Sequence, residues 1–126
     1  MPFTLYTDNK LIDHLLGAGT FTKPGSKYVA LYVGDPMLSG AEISRTGTAY
    51  ARQAASFTVV SNLATNSSDL EWPAATSVWG TVNYVAIYDA ATSGNMLVSA
   101  ALTTAKTISN GDVLRVPASS LSITLS

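Results

Sequence analysis

The chain has 126 residues, enough for one domain (1–126) with a core of its own, and it carries no cysteine, which excludes disulfides, thiolate metal sites and a cysteine nucleophile. Charged residues are 12% of the chain, about half the usual share, and 7 basic against 8 acidic side chains leave a net charge of −1, with no basic stripe to neutralise phosphates; nucleic-acid binding is not expected. Ser and Thr together make up roughly a quarter of the residues, which suits either a pleated, half-buried β surface or a surface covered by neighbours, because interface centres are depleted in charge.

The opening Met1-Pro2-Phe3-Thr4-Leu5-Tyr6-Thr7-Asp8 has neither a basic n-region nor an apolar h-region, so a secretory signal is not expected and the chain is expected to be made in a cytoplasm. No run of about 18 apolar residues occurs, so no membrane insertion is expected. Residues 7–17 read as a short helix. Leu11, Ile12, Leu15 and Leu16 recur at helical spacing, Thr7 or Asp8 is placed to cap the start, and Gly17 is placed to stop it. A helix this short needs a surface to dock on, either the rest of the chain or a neighbouring subunit.

After a Pro24-Gly25 turn, Tyr28-Val29-Ala30-Leu31-Tyr32-Val33 is a near-continuous apolar run of strand length, as expected where both faces are covered. Residues 37–49 read as a long Gly/Ser/Thr-rich loop, and loops of that length in compact domains are usually functional or ordered by a partner. A strand is expected over residues 54–60, a polar loop over 61–69, and a short strand over 70–72 that Pro73 stops. The last third alternates strands with turn clusters. Strands are expected at 82–88, 96–102, 113–116 and 121–125, the last ending at Leu125, divided by Gly/Asn/Asp/Ser turns. This pattern predicts an all-β chain, a jelly-roll-like antiparallel β-sandwich with one short N-terminal helix.

The residues that could carry chemistry read mostly as structure. His14 is the only histidine and has no nucleophile elbow to serve, so a structural or exposed role is expected; without cysteine, a zinc site is not expected either. Asp35, Asp69, Asp89 and Asp112 each stand beside turn residues and are expected to cap them, with no EF-hand spacing among them. Asp35, Glu42, Asp69 and Glu71 show no spacing that selects a pair for glycoside hydrolysis. Trp72, Trp79, Tyr84 and Tyr88 could stack on sugar rings, yet alternation puts Tyr84, Ala86 and Tyr88 on one face and Val85 and Ile87 on the other, so core or interface use is expected first. Arg52 sits in an apolar neighbourhood and must be paired if buried, either with a loop carbonyl or acid of its own chain or across a subunit boundary.

Ten segments together carry a resemblance. They are Leu11-Ile12-Asp13-His14-Leu15-Leu16-Gly17, Val29-Ala30-Leu31-Tyr32-Val33-Gly34-Asp35-Pro36, Tyr50-Ala51-Arg52-Gln53, Trp72-Pro73-Ala74-Ala75 and Trp79-Gly80-Thr81-Val82, followed by Ile87-Tyr88-Asp89-Ala90, Gly94-Asn95-Met96-Leu97, Leu102-Thr103-Thr104-Ala105-Lys106, Gly111-Asp112-Val113-Leu114 and Leu121-Ser122-Ile123-Thr124-Leu125. In this order and spacing, over nearly the whole chain, they resemble a family of small bacteriophage virion proteins of the tail fibre type. The resemblance implies a non-enzymatic structural component of the particle, with no catalytic residue, metal or cofactor carried over. The expected role is self-assembly as a homo-oligomer, a trimer or another cyclic form, and attachment to other phage virion proteins on the particle exterior, in the tail or as capsid decoration. The alternative is a tail module that binds a host receptor or host surface glycan. The expected contact residues are Leu11, Ile12, Leu15 and Leu16 of the helix, Pro36, Met37 and Leu38 of the loop, and Tyr50 and Arg52.

Overall fold

The computed structural model describes residues 3–124; Leu125 of the expected last strand lies outside them. Helix α1 spans Leu5–Leu16. Its strands in chain order are β1 (Tyr28–Val33), β2 (Ala41–Glu42), β3 (Gln53–Ala54), β4 (Phe57–Val60), β5 (Leu63–Asn66), β6 (Leu70–Glu71), β7 (Gly80–Tyr88), β8 (Met96–Ile108), β9 (Arg115–Val116) and β10 (Ser122–Thr124). The all-β expectation with one helix holds. The strands form a main sheet ordered β2-β1-β7-β8 with β3 also on β1, a three-stranded sheet β10-β5-β4 and a ribbon β6-β9, all antiparallel. These pairings do not establish a jelly-roll order.

Several boundaries differ from the sequence reading, each for a local reason. The helix starts at Leu5 rather than residue 7, because Thr4 is extended and its Oγ1 accepts the Thr7 N–H at 3.3 Å. Gly17 ends the helix in an extended conformation, and its N–H donates to the Asp13 carbonyl at 2.9 Å. The expected strand over 54–60 is two strands: β3 pairs with β1, and the chain then crosses to pair β4 with β5. The expected loop over 61–69 holds β5, joined to β4 by a two-residue turn at Ser61-Asn62 whose first residue has φ 55°. The stretch 37–49 likewise holds β2.

The last third departs from the reading as well. β8 runs on to Ile108 instead of stopping near Leu102, while the strand expected over 113–116 shortens to β9. Tyr84 pairs with Ala101 and Val82 with Lys106, so one residue of β7 faces residues 102–105 of β8. That displaced segment is a large, multi-residue bulge at the sheet edge.

One core cluster takes side chains from all three sheets. Val29, Leu31, Val85 and Ile87 on the inner face of the main sheet meet Leu70, Trp72, Leu114, Leu121 and Ile123. The outer face is closed differently. Tyr28, Ala30 and Tyr32 of β1 stand opposite Tyr88, Ala86 and Tyr84 of β7. Four tyrosines thus frame two fully buried alanines, and the Tyr32 and Tyr88 hydroxyls meet above them. Both faces of β1 are covered, as its unbroken apolar run predicts.

Candidate assembly interface

Helix α1 is docked by its polar side. The Thr4 N–H donates to the Leu97 carbonyl at 3.0 Å. The Thr4 hydroxyl reaches the Met96 carbonyl at 2.6 Å, and the Thr7 hydroxyl reaches that of Leu97 at 2.8 Å. Phe3 bridges to Val98, and Phe3 and Tyr6 pack on the core. The far end is tied by His14, whose Nδ1 accepts the Phe21 N–H at 3.2 Å, and by Asp13, which accepts the Gly19 N–H at 3.3 Å. His14 is exposed and structural.

The consequence is an apolar stripe turned to solvent. Leu5 is 73% exposed, Ile12 60%, Leu15 75% and Leu16 83%, whereas Leu11 is half-buried. Three of the four residues of the stripe that the sequence offers as a docking face, Ile12, Leu15 and Leu16, are therefore turned away from their own chain, and Leu5 joins them. Helices of folded chains normally bury that face. Four aliphatic side chains at these exposures put on the order of 500 Å² of apolar surface on one ridge, within the range of functional patches.

The second expected segment forms a tight tip between β1 and β2. Asp35 organises it, accepting the Met37 N–H on Oδ1 at 2.9 Å and the Leu38 and Gly40 N–H groups on its carbonyl at 3.0 and 2.8 Å. Gly34 (φ 89°) opens the turn, and a Cβ on Gly40 would lie 2.3 Å from the Gly34 carbonyl oxygen, so the two strand ends close only with glycine there. Pro36 is half-buried, and Met37 and Leu38 stand out at the tip, Leu38 at 82% exposure. This tip leaves the β2 edge of the main sheet, while α1 lies on the β8 edge. The structure thus separates the two expected contact segments.

Tyr50 and Arg52 are buried beneath the surface. Arg52 grips Glu42 in a fork, Nε to Oε2 at 2.9 Å and Nη2 to Oε1 at 3.0 Å, and donates to the carbonyls of Ala90 and Ser93 at 3.0 and 2.8 Å. Its guanidinium lies 3.6 Å from the Tyr88 ring centre. Every one of these partners is in the same chain, which is the loop-holding reading of Arg52. Tyr50 OH donates to Glu42 at 2.7 Å and accepts the Leu31 N–H at 3.0 Å. Burial works to raise the Glu42 carboxyl, but the hydrogen bonds from Arg52 and Tyr50 and the Arg52 charge outweigh it and hold the group below its usual range. Burial, then the bond to Glu42, pushes the Tyr50 phenol well above its ordinary range, so it stays a donor.

Three further aspartates hold loops. Asp89 accepts the Asn95 N–H at 2.7 Å, Asp112 that of Ser109 at 2.8 Å, and Asp69 that of Ala118 at 2.8 Å while pairing with Arg115. These aspartates cap turns, as their sequence neighbours suggest. Trp72, Trp79 and Tyr88 are buried and have no free ring face for a sugar; Tyr84 is half-buried. Sequence reasoning missed Asn66, read as loop and in fact fully buried. Its Nδ2 donates to the Ser68 and Pro117 carbonyls, both at 2.9 Å, and its Oδ1 accepts the Leu121 N–H at 2.9 Å. The run Leu63-Ala64-Thr65-Asn66 shows no apolar-polar alternation, so nothing local in the sequence marked it.

The family described as podophage GP4 fiber I protein gp80 matches residues 2–124. No curated protein matches the chain.

Proposed function

The chain belongs to the podophage GP4 fiber I protein gp80 family, and from that premise we propose that it is a fibre subunit of the virion, acting without catalysis by packing against copies of itself and against other particle proteins. The observation that carries this reading is the outward-facing stripe Leu5, Ile12, Leu15 and Leu16 on a helix fixed to the sheet by hydroxyl groups. A chain that kept this helix for its own stability would turn the leucines inward. Turned outward, they are ready to be covered by a neighbour.

The Met37-Leu38 tip, on the opposite sheet edge, is the second contact. Two separate apolar surfaces let one subunit engage two neighbours, and repeated modest contacts hold a multivalent assembly firmly. The cyclic oligomer we assign first is a trimer. The family match favours a place in a fibre over capsid decoration.

Two measurements test the reading. Mass spectrometry of purified particles is expected to find the chain at fixed stoichiometry, and light scattering of the purified chain is expected to give a multiple of its 13.1 kDa mass. Absence from particles together with a monomer at every concentration would refute it.

A further inference from the structure

A groove of about 290 Å³ opens into the sandwich at the free edge of the main sheet, beside the bulged part of β8. Its floor is made of core side chains, Val29, Leu31 and Val85, and Leu102 and Leu121 stand in its walls. Lys106 and Arg115 are the charged residues of its lining. Arg115 pairs with Asp69, while Lys106 makes no ion pair among the described residues. The groove is at the small end of ligand pockets, where a few aliphatic side chains fit better than a large organic ligand.

The exposed stripe of α1 has the complementary character. At about 100° per residue, Leu5, Ile12 and Leu16 share one line on the helix, with Asp8 and Asp13 on either side of it. Lys10 and His14 fall on the flank turned toward the chain, Lys10 over the Tyr6 ring and His14 bonded to Phe21. The outward ridge is therefore apolar except at Asn9, with acidic margins, and the groove is apolar with basic margins. Within one chain they do not meet, since no residue of α1 lines the groove. Helix α1 is tied to β8 at Met96 and Leu97, and Thr104 at the groove lies on the order of 20 Å further along the same strand.

We infer that the groove beside residues 102–106 receives the α1 ridge of a second copy of this chain, with Ile12 and Leu16 entering it and Asp8 facing Lys106. The inference rests on the self-assembly reading above and adds which surface meets which. The contact is helix-in-groove, and because ridge and groove are different surfaces, each subunit both gives and receives one.

Because the chain has no cysteine, engineered thiols report the contact without background. The variant Ile12→Cys/Thr104→Cys is oxidised under mild conditions and run on a non-reducing gel, beside each single variant and the control Ile12→Cys/Thr58→Cys. Covalent oligomers from the first variant alone are the expected result. In the same chain, Lys106→Glu is expected to weaken association about five- to ten-fold, and Asp8→Lys added to it to restore most of the loss. Cross-linking of Ile12→Cys by itself would mean that helices pair with helices, and a non-covalent oligomer whose Ile12→Cys/Thr104→Cys variant does not cross-link would mean that another surface is used. Either result overturns this inference and leaves self-assembly standing. A monomer at every concentration overturns both.

Discussion

Replacing Arg52 by Ala tests whether the buried fork is the fastener between the β2 region and the loop after β7. The substitution removes four hydrogen bonds, two to Glu42 and one each to Ala90 and Ser93, and the stacking on Tyr88. Removing one partner of a buried ion pair costs about 3–5 kcal/mol, chiefly because the other charge is left stranded. Here the lower end applies. Glu42 keeps the Tyr50 hydroxyl at 2.7 Å and Arg45 at 3.5 Å, and its side chain is 19% exposed, so water can replace part of what is lost.

The expected loss is about 3 kcal/mol, which for a domain of this size lowers Tm by about 10–15 °C. Urea and thermal unfolding followed by circular dichroism, at one fixed protein concentration because assembly would shift Tm, measure it. Arg52→Lys keeps the charge but not the planar fork and is expected to lose about half as much. An Arg52→Ala variant within about 1 kcal/mol of the parent, at unchanged m-value, would show that the loops hold together without the pair and would refute the reasoning.

The same pair sets an acid dependence. Because the Glu42 carboxyl is held below its usual range in the folded chain, its stabilisation is complete above its unfolded value of about 4.3 and fades as pH falls through the folded value. Glu42→Gln should flatten that part of the acid limb, and an unchanged limb would contradict it. The two tryptophans should differ under the same Trp→Phe change. Trp79 Nε1 donates to the Thr48 carbonyl at 2.8 Å, whereas Trp72 Nε1 is buried with no partner among the described residues. Trp79→Phe is therefore expected to cost about 1 kcal/mol more than Trp72→Phe in urea unfolding; equal costs would count against it. Asn66→Ala strands two carbonyls and one N–H and is expected to cost about 2–4 kcal/mol. Ile12→Glu/Leu16→Glu, at exposed positions, should leave monomer unfolding within about 0.5 kcal/mol while abolishing association in light scattering; an intact oligomer would move the interface elsewhere.

Much of the architecture was legible in the chain because strand periodicity and turn chemistry are local. The apolar run from Tyr28, the alternation from Tyr84 to Tyr88, and the aspartates at turns read correctly because each needs only its neighbours in sequence. What went wrong was pairing. Nothing local says that the strand expected over 54–60 divides between two sheets, that β5 hides in a polar stretch, or that four residues of β8 face one of β7.

The interface divides in the same way. Sequence spacing put Leu11, Ile12, Leu15 and Leu16 on one side of a helix, and composition showed how little charge the surface carries. Which way that side faces was decided by two threonine hydroxyls finding the carbonyls of Met96 and Leu97, about ninety residues away. Likewise Arg52 showed from sequence that it needed partners, but only folding brought Glu42, Ala90 and Ser93 around it. Periodicity is a property of a segment; the direction in which a segment turns its faces is set by the long-range contacts that hold it.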